Sequence, residues 1–240
     1  MNKLKALKKD LGDMRQLEME GAKLFGKHVS KEKAAVLLVL SLAVCALPMV
    51  MGLRLLDQMP ELIPSGMLKR NGEDDSFPRW VVAFGQPAFL CLLNLITHVQ
   101  LWIHQTKMVP PPGLPRVLGR WGIPVFSMLY CSFMVQTAVG QVVTDEFWLS
   151  CLAGLALLIL GSHMWECPKE ARVALRFPVT EKSPEAWKKM HAFAGWLWMA
   201  AGLVLLVDLM LSFGTVWLQA AALLVSLASP AVFGVWLSRQ

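Results

Sequence analysis

Several residues that can bind transition metals fall at the ends of long apolar segments of the sequence. They are four histidines, one glutamate and one cysteine: His98, His104, His163, His191, Glu166 and Cys167. Imidazole, carboxylate and thiolate groups are common ligands of zinc, iron and copper. No strong ligand motif such as HExxH occurs, so we favour histidines that hydrogen-bond the backbone near a membrane surface. We therefore predict no metal, no cofactor and no catalytic residue.

A basic residue in a proline-containing stretch offers a second kind of chemistry. Arg176 precedes Pro178, and Trp187 and His191 follow a serine–proline pair that predicts a capped helix start. A guanidinium in such a loop can bind a carboxylate or a phosphate through two parallel hydrogen bonds, or it can contact lipid phosphate at the positive side of a membrane. Because Trp187 and His191 are four residues apart and share a helical face, we expect them to pack against the loop that carries Arg176.

One acidic residue, Asp208, lies inside an apolar segment, which is unusual for a carboxylate. Such a group costs roughly 2.5–3.5 kcal/mol to place in a membrane-spanning helix, so it should face other helices or an aqueous cavity. Its polar neighbours could be the amides Asn94, Gln136, Gln141 or Gln219. This arrangement allows either a buried, hydrogen-bonded acid or the coupling site of a small proton- or ion-coupled transporter.

The composition indicates that membrane-spanning helices position these residues. Of the 240 residues, 55% are hydrophobic and only 17% are charged, whereas a soluble domain carries about 25% charged residues. A helix needs roughly 20 mostly apolar residues to cross a bilayer. Six segments meet this requirement: 34–53, 81–103, 122–143, 147–165, 193–213 and 215–237. The sequence therefore predicts an all-α polytopic membrane protein with six transmembrane helices.

Basic residues are distributed unevenly between these spans. The segments on one side, including both ends of the chain, contain 19 of the 23 lysines and arginines. Positively charged segments stay in the cytoplasm, so both termini should be cytoplasmic in the plasma membrane. This predicts a cytoplasmic amphipathic basic segment at 1–33 and a transmembrane domain at 34–240, with an extracytoplasmic loop at 54–80 and a cytoplasmic loop at 166–192. The net charge of +6 then reflects topology and gives no reason to expect nucleic acid binding.

The connections and the amino-terminal segment add two expectations. Short connections at 144–146 and near Gly214 predict antiparallel helix pairs, and Gly154 and Gly161 suit close helix packing.

Residues 1–33 carry leucines at three- and four-residue steps beside several lysines. We expect an amphipathic helix that rests on anionic lipid, with docking to a cytoplasmic partner as the alternative.

Two stretches resemble the motifs of the SdpI-type family of bacterial membrane proteins. In the first loop, the residues similar to the family's extracytoplasmic motif are Met59, Pro60, Ile63, Pro64, Asn71 and Gly72. In the fourth loop, the residues similar to its cytoplasmic signature are Arg176, Pro178, Thr180, Trp187, His191 and Gly195. The two stretches occur in the family's order, and the resemblance covers roughly residues 34 to 237 of the six-span layout.

The resemblance implies toxin immunity and signalling, and no enzymatic activity. The family's namesake protects its producer from a secreted antimicrobial peptide and retains a transcriptional repressor at the membrane. We therefore expect an outer loop that meets a secreted peptide toxin and a cytoplasmic unit that transmits the change or holds a regulator. The candidate binding residues are Pro64, Asn71, Gly72, Arg176, Pro178, Trp187, His191 and Asp208. The alternatives are a small transporter that uses Asp208 and a membrane-embedded metal enzyme built on the histidines.

Overall fold

The computed structural model describes residues 31–68, 74–107, 113–164, 167, 169, 174–211 and 216–237. Within these residues, six helices are long and apolar enough to cross a membrane. They are Lys31–Gln58, Val81–Ile103, Arg116–Ala138, Asp145–Met164, Pro184–Leu211 and Val216–Leu237. The predicted all-α polytopic fold is therefore confirmed. The amphipathic segment predicted at 1–33 lies outside the described residues except for its last three, which begin the first helix.

Each span is built from one or more helical elements. The first contains α1 (Lys31–Leu55) and a 3₁₀ turn (Leu56–Gln58), and the second begins with a π-helical turn (Val81–Gly85) that continues into α2 (Gln86–Lys107). The third contains α3 (Gly113–Phe126), a second π-helical turn (Ser127–Cys131) and α4 (Ser132–Ala138). The last three spans are α5 (Asp145–Met164), α7 (Pro184–Leu211) and α8 (Val216–Leu237), with the short helix α6 (Pro178–Lys182) before α7.

The connection between the first two spans forms an antiparallel β-hairpin. Strand β1 (Leu62–Leu68) pairs with strand β2 (Asp74–Pro78), and Ile63 lies opposite Phe77. Ile63 is buried and Phe77 packs against the core of the bundle, so the hairpin covers one end of it. We call this the hairpin end, and we call the opposite end, which carries Cys167 and α6, the loop end. Only an extracytoplasmic loop at 54–80 was predicted here, although an Asn-Gly pair between two such stretches is a strong hairpin signal.

Local sequence signals set the helix ends that position the sites. The Ser183 side chain accepts a hydrogen bond from the Ala186 N–H at 3.3 Å, and α7 follows directly, which confirms the predicted capped start. At the end of α4, Gly140 has a φ of +73°. The N–H groups of Gly140 and Gln141 donate to the carbonyl oxygens of Thr137 and Gln136 at 3.0 Å each. This Schellman arrangement ends the third span and fixes the place of Gln136 at the hairpin end.

The third span differs from its prediction because two arginines are buried inside it. The sequence analysis started this span at residue 122, which left Arg116 and Arg120 in a cytoplasmic loop. In the structure both side chains are buried within α3. The aliphatic part of an arginine can lie along apolar helices while the guanidinium reaches polar groups. The predicted start was therefore wrong by about two helical turns.

The fourth and fifth spans make the most extensive helix–helix contact in the described part of the chain. A Cβ atom on Gly161 of α5 would lie 2.7 Å from the Met199 backbone nitrogen, and one on Gly202 of α7 would lie 2.6 Å from the Gly154 carbonyl oxygen. Glycine lets the two backbones approach this closely, as in other membrane helix pairs. The close packing predicted for Gly154 and Gly161 is confirmed.

The outward surface of the bundle is apolar. Large exposed side chains occur on every span, among them Val39, Leu92, Phe133, Leu149, Val204 and Leu224. Polar residues such as Ser41, Asn94 and Ser226 are buried between the helices instead. This distribution suits a lipid environment, in which polar groups must find partners inside the protein.

Candidate functional site

His191 anchors the loop end of the bundle through two hydrogen bonds. Its Nδ1 lies 2.8 Å from the Trp187 carbonyl oxygen, and its Nε2 lies 3.1 Å from the Leu175 backbone nitrogen. Because the Leu175 N–H can only donate, Nε2 must be the unprotonated nitrogen, so Nδ1 carries the proton and donates it to Trp187. His191 is therefore held as a neutral ring that joins α7 to the loop before it.

Trp187 and Thr180 tie the same loop to the helices. The Trp187 ring stacks on His191 with ring centroids 4.2 Å apart, and its indole N–H donates to the Cys167 carbonyl oxygen at 2.9 Å. The Thr180 hydroxyl lies in α6 and accepts a hydrogen bond from a backbone N–H three residues earlier at 3.0 Å. All three side chains are buried. We call Cys167, Leu175, Thr180, Trp187 and His191 the loop-anchoring cluster.

Arg176 and Pro178 lie on the surface beside this cluster. The Arg176 side chain is exposed and donates a hydrogen bond to the Lys169 carbonyl oxygen at 3.2 Å, and Pro178 is the exposed first residue of α6. The expected packing of His191 against the loop of Arg176 is observed, and Leu175 provides the contact. An exposed guanidinium next to a rigid anchor is suited to contact a carboxylate or a phosphate.

Cys167 is buried and lies close enough to Lys33 and Arg176 to interact with them electrostatically. Burial raises the pKa of the Cys167 thiol to about 11, although Lys33 and Arg176 lower it. Among the described residues, no group of three or more His, Cys, Asp or Glu side chains comes together in a way that could hold a metal ion. The His104 side chain and Glu166 lie outside the described residues.

The other two described histidines also contact backbone carbonyl groups. The Nδ1 of His163 lies 2.7 Å from the Ile159 carbonyl oxygen, and the Nε2 of His98 lies 3.4 Å from the Arg120 carbonyl oxygen. Together with His191, they agree with the favoured interpretation of hydrogen-bonded histidines near the ends of spans. The carbonyl partners of His98 and His163 belong to helices, whereas His191 also accepts a hydrogen bond from the loop residue Leu175.

Asn94 belongs to a polar network between the first two spans. Its side-chain N–H donates to the Ser41 hydroxyl at 2.8 Å, and the Ser41 hydroxyl lies 3.1 Å from the His98 Nε2. The Ser41 hydroxyl also donates to the Leu38 carbonyl oxygen at 2.9 Å. The expectation that Asn94 could pair with Asp208 was therefore wrong, because Asn94 faces α1.

Three basic side chains that the sequence analysis used only as topology signals are buried at the loop end. Lys33, Arg116 and Arg120 are each more than nine-tenths buried, and all three lie close enough to His163 to interact with it electrostatically. Buried charges require polar partners, so we assign these three residues a structural role at the loop end. Arg116 and Arg120 are four residues apart and therefore share a helical face, although this spacing alone does not show which way the face turns.

At the hairpin end, Asp208 belongs to a chain of hydrogen-bonded polar side chains. The Asp208 residue is only 2% exposed. The Gln219 Nε2 donates to the Asp208 Oδ2 at 3.3 Å, and the Ser150 hydroxyl donates to the Gln219 Oε1 at 2.9 Å. Gln219 is thus an observed partner among the amides considered for Asp208, whereas Gln141 is exposed. The acid faces neighbouring helices, as its position in a span required.

These residues line a cavity of about 440 Å³, which we call the hairpin-end cavity. Its lining consists of Gln136, Thr144, Glu146, Phe147, Leu149, Ser150, Asp208, Leu209, Val216 and Gln219. Two carboxyl groups, those of Glu146 and Asp208, belong to this lining, and no basic side chain does among the described residues. The cavity therefore combines a cation-attracting charge with the size of a small-molecule site.

The predicted site residues thus fall into two groups. Pro64 is exposed in β1 opposite Ser76, at the same end as Asp208 and the hairpin-end cavity. Asn71 and Gly72 lie outside the described residues. The loop-end residues are joined to this end by α7, which carries both His191 and Asp208. Their separation of 17 residues along the sequence corresponds to about 26 Å along the helix.

The fold and these sites define a multi-pass α-helical membrane protein with a buried polar site at each end of the bundle. Residues 166–235 match the model of the SdpI/YfhL protein family, which supports the assignment of the chain to an SdpI-type family. No curated protein and no solved structure gives a significant match. The matched segment contains the whole loop-anchoring cluster as well as Asp208 and Gln219, whereas the first-loop motif lies outside it. At the level of the family, the match supports a membrane protein of immunity or signalling.

Proposed function

We propose that this chain is an SdpI-like immunity protein of the plasma membrane that protects its producer from a secreted antimicrobial peptide. The observation that carries this proposal is that the family-matched segment, residues 166–235, contributes to both polar sites. It supplies the loop-anchoring cluster at one end, and it supplies Asp208 and Gln219 to the cavity at the other end. One continuous segment could therefore both receive the peptide and report its presence.

In the proposed orientation, both termini are cytoplasmic and the hairpin end faces outward. This orientation follows from the 19 basic residues on one side of the spans. It also places the buried Lys33, Arg116 and Arg120 at the cytoplasmic end and the two cavity carboxyl groups at the outer end. Fusions of alkaline phosphatase and green fluorescent protein after residue 72 and after residue 240 test it. Phosphatase activity at the first site and fluorescence at the second are expected.

In this mechanism, helix α7 connects the two ends. It spans 28 residues and has no proline after its first position, whereas α1, α3 and α8 contain internal prolines. A peptide bound at the hairpin end would act on α7 near Asp208, and a shift of α7 would reach His191 and the loop bonded to it. The exposed Arg176 beside that loop would then contact a cytoplasmic transcriptional regulator. This contact is the proposed means of retaining the regulator at the membrane.

Expression of the full chain in a bacterial strain that is sensitive to secreted peptides of this kind tests the immunity function. We expect growth at peptide concentrations that stop the strain carrying an empty vector, measured as a rise in the minimal inhibitory concentration. The Gly122→Ala variant is a control for the effect of substitution as such, and it should protect like the wild type because a Cβ atom there meets nothing within 4 Å. A chain that reaches the membrane in normal amounts but protects against none of the related peptides would contradict the proposal.

A second candidate function is ion-coupled transport, which is favoured by the buried carboxyl group of Asp208 beside a cavity. If Asp208 carries a coupling ion, proteoliposomes containing the wild-type chain should move protons under an imposed membrane potential, and Asp208→Asn should abolish this flux. A pH-sensitive dye inside the vesicles measures it. Equal flux in the two proteins would remove Asp208 from any coupling role.

A further inference from the structure

The hairpin-end cavity holds groups that the proposed function leaves without a stated task. We propose that this cavity binds the amino terminus of a peptide, with the ammonium group at Asp208 and Glu146 and the first carbonyl group at Gln136. The proposal deepens the immunity function, because it names the part of a secreted peptide that the protein would recognise.

The charge of the cavity selects a cationic group. Glu146 and Asp208 both belong to its lining, and the described lining contains no lysine, arginine or histidine. Asp208 is buried whereas Glu146 is exposed, so attraction to a cation is much stronger at Asp208 than at Glu146. Asp208 is also held in place, since Gln219 donates to it and Ser150 in turn orients Gln219. Ser150 and Gln219 are thus positioning residues for Asp208.

Gln136 supplies an observation that is independent of the acidic residues. It is 7% exposed, it lines the cavity, and its side-chain Nε2 has no hydrogen-bond partner among the described residues. A buried donor without an acceptor is destabilising, because it has lost its hydrogen bond to water. The Schellman turn at Gly140 fixes the backbone of Gln136, so this side chain is held among the residues that line the cavity. A ligand carbonyl oxygen would satisfy it.

The combination of an anionic acceptor and an unpaired donor fits one ligand chemistry in particular. The amino terminus of a peptide presents an ammonium donor and a carbonyl acceptor within the same residue. A bare inorganic cation would leave the Gln136 donor unsatisfied. The volume of about 440 Å³ and the apolar walls formed by Phe147, Leu149 and Leu209 also exceed what a single ion needs.

Direct binding to the full-length protein in lipid nanodiscs tests this inference. The probe is trialanine amide with a free amino terminus, and its N-acetylated form is the matched control ligand. Isothermal titration calorimetry should detect binding of the free amine and at least about tenfold weaker binding of the acetylated form. Asp208→Asn should weaken binding of the free amine by about tenfold or more, whereas Asp57→Asn, an exposed acid at the same end, should not.

Gln136→Leu separates a binding role from a structural one. Because this change removes an unsatisfied donor, we expect it to raise the Tm of the free protein by about 2–4 °C. The same change should weaken binding of the free amine, so stability and affinity move in opposite directions. A lower Tm together with unchanged affinity would overturn the role given to Gln136. This variant also covers the case in which Asp208→Asn fails to fold.

The outcomes distinguish this inference from the proposed function. Equal binding of the free and acetylated peptides, or normal binding to the Asp208→Asn protein, overturns the inference even if the chain protects cells. Amine-dependent binding that is lost in Asp208→Asn supports the inference even if the chain protects against no peptide. Displacement of the probe by sodium chloride but not by an equal concentration of choline chloride would show a metal-cation site and would overturn it.

Discussion

Replacing Gly202 by alanine is expected to lower the free energy of unfolding by about 1–3 kcal/mol, although the change adds a single methyl group. The new Cβ atom would lie 2.6 Å from the Gly154 carbonyl oxygen and 2.8 Å from the Leu158 backbone nitrogen. Both atoms belong to the backbone of α5, so no side-chain rotation can relieve the contact. The two helices must separate, and their close packing is lost. Thermal unfolding of the purified protein in detergent measures the effect.

Gly122→Ala is the matched control, since Gly122 also lies in a helix but has open space where the Cβ atom would be. There the usual advantage of alanine over glycine in a helix applies, so stability should rise by about 0.5–1 kcal/mol. The two substitutions are chemically identical and should shift the Tm in opposite directions. A shift of the same sign and size in both would show that the contact between α5 and α7 does not limit stability.

The second large effect is expected at His191. His191→Ala leaves the Leu175 N–H without its acceptor and removes the ring that stacks on Trp187. Leaving this partly buried donor unsatisfied costs about 1 kcal/mol, and lost packing adds to this. The loop should then open more often, so trypsin should cleave faster after Arg176 in the variant. Limited proteolysis followed by mass spectrometry of the fragments measures this rate.

Two further variants isolate the contribution of the hydrogen bond. His191→Gln keeps an acceptor oxygen on a long side chain, so its cleavage rate should lie between those of the wild type and His191→Ala. Lys188→Ala changes an exposed neighbour on the same helix and should leave the rate unchanged. If cleavage after Arg176 is equally fast in all four proteins, His191 does not anchor the loop.

The spans could be predicted from the sequence because one physical effect dominates their placement. A backbone inside a bilayer must satisfy its hydrogen bonds internally, so long apolar segments become helices whatever their neighbours are. The start of α7 was also predictable, since Ser183 and Pro184 form a local capping signal that needs no tertiary contact. The segment around Asn71 and Gly72 held a comparable local signal for the hairpin that was not used.

The composition of the sites depended on contacts that no local pattern contains. Asn94 and Gln219 are both amides within apolar segments, yet Asn94 bonds to Ser41 and Gln219 bonds to Asp208. Which amide meets the acid depends on how the helices rotate against each other, and that rotation is set by packing over their whole length. Arg116 and Arg120 were misplaced for a related reason, because only the packed bundle shows that their side chains turn inward.

The continuity of α7 between the two polar sites has a thermodynamic consequence. If peptide binding at the hairpin end changes the affinity of the loop end for a regulator, linkage requires that the bound regulator changes the affinity for the peptide by the same factor. A typical coupling of about 1–3 kcal/mol corresponds to roughly 5–150-fold. The amount of regulator in the cell would then set the peptide concentration at which the protein responds. A cell could thus adjust its threshold for a toxin without changing the protein that detects it.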